Sequence, residues 1–165
     1  MLSDALAKKE DTLQTGALVV LTGRAYSLAI SAAQSAADLV LGAGPALARI
    51  IACERELDEL DREIDERVAI EVALTPVEQV REKLGCLKCM IDLERIGDLL
   101  LSFATRADTV RSRLDMQDLR DLGDMLSILA KCCKTQNRHS PAATMLGHYR
   151  SFGQTGKWTV CTISS

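Results

Sequence analysis

Aromatic side chains are nearly missing from this chain, at 3% of 165 residues: Tyr26, Phe103, Tyr149, Phe152 and Trp158. Proline is as scarce, with three residues, and glycine numbers ten. A β-sandwich or barrel draws on aromatic packing and frequent turn residues, so this scarcity speaks against both and for helices. Only two histidines occur, His139 and His148, both near the C-terminal end. The body of the chain therefore has no material for a Ser-His-Asp or Cys-His nucleophile arrangement, nor for the Glu-x-x-His ligation of helical carboxylate enzymes, and no enzyme is expected. Long apolar runs are absent too. The best, Ala17 to Ile30, is interrupted by Arg24, so no membrane span is expected. The opening Met1-Leu2-Ser3-Asp4 carries no basic segment ahead of an apolar core, and no secretory signal is expected.

Acidic residues are absent beyond Asp124. The first 124 residues hold all 23 Asp and Glu against 15 Lys and Arg, while the remainder holds Lys131, Lys134, Arg138, Arg150 and Lys157. An acidic body argues against nucleic acid as a partner and suits divalent cations. The six cysteines (Cys53, Cys86, Cys89, Cys132, Cys133, Cys161) include one Cys-x-x-Cys, at 86–89. With neither a βαβ context nor a second pair at zinc spacing, they read as small, reduced, buried apolar residues. Gly153-Gln154-Thr155-Gly156-Lys157 has the wrong glycine spacing for a phosphate loop, and Trp158 stands where Ser or Thr is needed.

What the sequence does have is helical periodicity, from about residue 11 to residue 133. A first helix is expected from Asp11 to Leu41, ended by Gly42-Ala43-Gly44-Pro45. A second should run from Pro45 to Leu74, and a third from Pro76 to Asp108 with Thr75 as N-cap. A fourth should begin near Leu114, with Leu119, Leu122, Leu126, Leu129 and Cys133 on one face. Connections this short require antiparallel neighbours, so the expected fold is all-α, an antiparallel up-down helical bundle. The pattern dissolves after Gln136. The expected divisions are residues 1–110, a helix over 111–136, and an irregular basic tail over 137–165.

The informative chemistry lies in the second and third helices. Positions alternately three and four apart share one helical face. One such row reads Ile51, Glu54, Asp58, Asp61, Asp65, Val68 and Val72; its counterpart reads Val80, Leu84, Leu87, Ile91, Glu94, Asp98 and Leu101. If the chain folds back symmetrically at Pro76, Val72 meets Val80, Val68 meets Leu84, Asp58 meets Glu94 and Glu54 meets Asp98. Four carboxylates from two i, i+4 pairs then converge, and they repel unless something positive sits among them. Oxygen-only ligation suits Mg, Ca or Mn, and iron is compatible with carboxylate clusters in bundles. A second reading fits the same spacing. If the neighbouring apolar rows (Ile50, Leu57, Leu60, Ile64, Val68; Cys86, Met90, Leu93, Gly97, Leu100, Ala104) face the core, the carboxylates form a solvated rim with Arg55, Arg62 and Arg95 as ion-pair partners.

Asp92-Leu93-Glu94-Arg95-Ile96-Gly97-Asp98 closely resembles the signature of the PhoU family of phosphate-transport regulators. Glu54-Arg55-Glu56-Leu57-Asp58 matches the family's other acidic motif, and Pro76-Val77, Arg81 and Leu87-Lys88 fall in the expected places between. The similarity covers about residues 11–110. It implies a three-helix repeat followed by the start of a second, and a metal site at Glu54, Asp58, Glu94 and Asp98. The implied cofactor is a divalent or trivalent ion (Mg, Mn, Ca, Fe or Zn). The implied partners are components of a phosphate ABC transporter and a membrane histidine kinase, with the protein cytoplasmic and a homodimer. Asp61 and Asp65 read as surface acids, Arg95 as an ion-pair donor, and Gly97 as a point of close helix approach. A second Glu-Arg-Ile-Gly-Asp does not follow, and the patternless basic end is the expectation for a truncated or out-of-frame product. The alternatives are a metal-free helical interaction module and a non-functional fragment.

Overall fold

The protein is described by a computed structural model over residues 2–42, 45–74 and 76–139, with the side chains of 2–16, 78, 79, 82 and 139 outside that description. Four α-helices follow one another: α1 (Leu2–Leu41), α2 (Ala46–Leu74), α3 (Val77–Val110) and, after a single 3-10 turn at Arg111–Arg113, α4 (Met116–His139). No strand occurs among the described residues, and the all-α expectation holds.

The helix ends differ from the sequence expectation in instructive ways. α1 starts at Leu2, well before Asp11. Pro45 sits in the bend ahead of α2 rather than in its first turn. Pro76 is itself the N-cap of α3: its φ of −55° would suit a helix but its ψ of 143° is extended, so Val77 is the first helical residue. The expected cap Thr75 lies outside the described residues. α4 begins at Met116 because Asp115 caps it, Oδ1 accepting the backbone N–H groups of Gln117 and Asp118, both at 2.8 Å. It continues to His139, past the expected end at Gln136. The rest of the expected irregular tail, 140–165, lies outside the described residues.

α1 is the centre of the bundle and packs against α2, α3 and α4, while α2 and α3 also pack on each other. Its contact surface is built from small residues: Ala25, Ala29, Ala32, Ala33 and Ala36 are fully buried. The apolar rows of α2 and α3 face this centre. Ile50, Leu57, Leu60, Ile64 and Val68 are buried on one side, and Cys86, Met90, Leu93, Leu100 and Ala104 on the other. Gly42 ends α1 with φ 84°, in the left-handed region that glycine tolerates. Its N–H donates to the Leu39 carbonyl at 3.2 Å. Arg111 comes back to the same helix end, Nε donating to the Val40 carbonyl at 3.1 Å. A Cβ at Gly42 would collide with that guanidinium.

Cysteine is only partly as expected. Cys53, Cys86 and Cys133 are buried free thiols and Cys89 is half-buried, but Cys132 is exposed, because a helix turns its neighbour Cys133 to the core and Cys132 about 100° away. Cys161 lies outside the described residues.

A charged pair lies in the interior. Lys83 Nζ lies 3.0 Å from Glu71 Oε2, with the two side chains 1% and 5% exposed. It joins the last turns of α2 to the first turns of α3 beside the Pro76 corner. Removing one partner of a buried pair takes from the other its nearest opposite charge, typically at up to ~3–5 kcal/mol, whereas replacing both by apolar residues is often neutral. Lys83→Met alone should therefore lower thermal stability sharply, and the double change Lys83→Met with Glu71→Leu should recover most of the loss. Calorimetric melting of the three chains checks this.

Candidate functional site

The carboxylates lie along the seam between α2 and α3, at the edge of the core. Glu54 and Asp58 are one turn apart on α2; Glu94 and Asp98 are one turn apart on α3. Glu54, Asp58 and Glu94 are half-buried and Asp98 is exposed. Gly97 brings the helices together at this level. A Cβ built on it would lie 2.7 Å from Leu57 Cδ1 and 3.9 Å from the Glu54 Cα, so α3 can lean on α2 at that turn only because the side chain is missing. The two acidic pairs are thereby placed opposite each other, as the symmetric fold-back about Pro76 predicts. At the same time the neighbouring apolar rows face the core, so the acids form its rim rather than a filled interior.

Electrostatics report the same neighbourhood. The Glu54 carboxyl is held above its ordinary range, first by partial burial and then by the charges of Asp58 and Asp98, with Arg55 opposing. Glu94 is raised by partial burial and then by Asp98, Asp61, Asp58 and Glu54, with no cation opposing. Asp61 is raised by burial, Asp65 and Asp58, against Arg62. Asp61, which reads as a surface acid in the sequence, is half-buried and adds its charge to the neighbourhood of Glu94. The signal was present: it stands three residues after Asp58 and seven after Glu54, on the same side of the helix. Asp65 is exposed and farther along the seam. Arg62 reaches toward Asp58 at 3.9 Å, a loose exposed pair of the kind worth little. Arg24 pairs with Glu56 across the α1–α2 hairpin, away from the four.

Among the described residues, no three of His, Cys, Asp and Glu are drawn together closely enough to hold a metal ion as they stand. The seam is an open row of acids, not a closed cage. Its donors are all oxygens, those of Glu54, Asp58 and Glu94 half-buried, and the neighbouring carboxylates add to what holds Glu54 and Glu94 above their ordinary range. A hard cation would relieve that repulsion, and on this chemistry the residues fit one. Holding it would require the side chains of Glu54, Asp58, Glu94 and Asp98 to turn toward a common point.

Because Glu54, Glu94 and Asp61 bind protons more tightly in the folded chain, they favour folding when protonated. Their contribution is fully present below the unfolded values of about 4 to 4.5 and is lost as pH rises through the higher folded ones. With a chelator present, the variant Glu54→Gln/Glu94→Gln should gain stability over the parent chain progressively across that interval and hold the gain at neutral pH. Paired thermal melts from pH 4 to 7.5 measure the difference directly.

Gly97→Ala gives a second outcome from the same geometry. Alanine gains up to ~1 kcal/mol of helix propensity over glycine, but forcing a methyl against the buried Leu57 costs ~1–3 kcal/mol. Gly97→Ala should lower the melting temperature. Gly23→Ala, in α1 where a Cβ meets nothing within 4 Å, should raise it.

A family model described as the PhoU domain matches residues 23–107, more than half of the chain. No curated protein and no solved structure matches it. The matched stretch runs from Gly23 in α1 to Ala107 near the end of α3. It contains both acidic pairs, Asp61 and the Gly97 contact. Members of this family are regulatory rather than enzymatic and are concerned with phosphate transport. The chain belongs to the PhoU family.

Proposed function

We propose that the chain is a metal-binding helical scaffold in the regulation of phosphate transport and of the phosphate-starvation response. The observation that carries this reading is the pair of i, i+4 carboxylates facing each other across the Gly97 contact, in a chain of the PhoU family. Glu54, Asp58, Glu94 and Asp98 supply the ligands, with Asp61 adding negative charge beside them. The cation is divalent or trivalent (Mg, Mn, Ca, Fe or Zn), and oxygen-only donors favour the harder ions of that set. Bound there, it would neutralise the seam and fix α2 against α3, which shapes the outer surface of both helices.

The surface so shaped meets components of the phosphate ABC transporter and a membrane histidine kinase. No described helix is long and apolar enough to cross a membrane, and in this reading the protein acts in the cytoplasm, reaching the membrane through those partners. It works as a homodimer, with α1 to α3 as one repeat and α4 as the beginning of another.

Elemental mass spectrometry of chain purified without chelator tests the site. Stoichiometric metal is expected, and Glu94→Ala/Asp98→Ala should lose most of it while remaining helical. Unchanged metal content in that variant refutes these ligands. A metal-free parent chain would favour the metal-free interaction module, for which the open arrangement of the seam, with no three ligand residues drawn together among the described residues, is the supporting observation.

A further inference from the structure

α4 has two apolar sides and uses one. Leu119, Leu126, Ala130 and Cys133 are buried against the bundle. On the outward side Met125 is 53% and Ile128 58% exposed, and the Cys132 thiol is exposed beside them. At ~100° per residue these three form one strip, flanked along one edge by Asp124 and Lys131.

The charges on this helix are sorted along its length. Its first half and cap carry Asp115, Asp118, Asp121 and Asp124 with Arg120 as the one base; its second half carries Lys131, Lys134 and Arg138 and no acid. Among the described residues, none of Asp121, Asp124, Lys131 and Lys134 is ion-paired within the chain. An acidic half followed by a basic half, both outward, is complementary to its own reverse.

We infer that α4 is a self-complementary interface that pairs antiparallel with α4 of a second copy, about a two-fold axis at Ile128. This rests on the homodimer reading above and adds its surface and orientation. Antiparallel helices bring equal edges together. With Ile128 on the axis, Asp124 falls beside Lys131 of the second copy and Lys131 beside its Asp124. On the other edge Met125 falls beside Cys132 of the second copy. A parallel pairing would set acid on acid and base on base. The apolar strip supplies the burial, and the exposed charge pairs choose the direction.

Two charge-reversed chains test the inference at full length. One carries Asp121→Lys/Asp124→Lys, so that α4 is basic throughout; the other carries Lys131→Glu/Lys134→Glu, so that α4 is acidic throughout. All four positions are exposed, and circular dichroism checks that each chain folds. By sedimentation equilibrium, each alone should self-associate at least ~10-fold more weakly than the parent, and an equimolar mixture should recover a heterodimer. In a background with Cys132 and Cys161 changed to Ser, Ile128→Cys should form a 128–128 disulfide between chains on mild oxidation, identified by peptide mapping. A parent dimer that survives both reversals, or gives no 128–128 bond, leaves the dimer standing and overturns α4 as its interface. A parent chain monomeric at all concentrations overturns the dimer reading and this inference together.

Discussion

The spacing of three helices around α1 is the constraint on which the other features rest. Ala25, Ala29, Ala32, Ala33 and Ala36 have no accessible surface, and α2, α3 and α4 all pack on the helix that carries them. Alanine at a helix contact favours the short end of the usual 8–10 Å separation. α2 and α3, both held to α1, also pack on each other, and the side of their contact away from α1 is left open to solvent. That open side is where the acids lie. Gly97 carries the same economy of side-chain volume across to α3, where the missing Cβ lets Leu57 fill the space. The near-absence of aromatics belongs with this geometry: large rings would hold the helices apart.

Much of this was legible in the sequence because helical periodicity and punctuation are local signals. The apolar rows of α2 and α3, the end of α1 at Gly42, the bend before α2 and the opposition of Glu54/Asp58 to Glu94/Asp98 follow from spacing and from the corner at Pro76. The details that escaped depend on partners distant in the chain, or on competition between adjacent side chains. Asp115 takes the cap of α4 because its carboxylate reaches two free N–H groups, which displaced the expected start at Leu114. Asp61 reads as peripheral in a row of four acids, and only the packing of α3 on α2 decides which of them are half-buried. Cys132 and Cys133 cannot both face inward; composition treats them alike, and only the apolar row through Leu126 and Leu129 singles out Cys133.

The buried Lys83–Glu71 pair had a signal that is easy to pass over. Glu71 follows Ile64 and Val68 on the core side of α2, and Lys83 precedes Cys86 on the core side of α3. Each is a charge occupying a position that the apolar period claims. Taken singly, each reads as an error in the pattern. Taken together, five residues before Pro76 and seven after it, they read as a pair across the corner. It differs from the rim acids in the essential respect that its charges are balanced internally, whereas Glu94 has no opposing cation. The molecule thus treats charge in two ways within one helical hairpin: neutralised and enclosed at the corner, uncompensated and accessible farther along.

The end of α1 bears on how the chain is made. The Val40 carbonyl receives its hydrogen bond from Arg111, 71 residues downstream. During synthesis, which proceeds from the N-terminus and allows early segments to associate first, α1 and α2 can form their hairpin long before Arg111 leaves the ribosome. In that interval the Leu39 carbonyl can already receive the Gly42 N–H, while the Val40 carbonyl has not yet met Arg111. The hairpin is complete as sequence well before it is complete in its hydrogen bonds. Closing that helix end is therefore a late event, coupled to the emergence of the corner between α3 and α4.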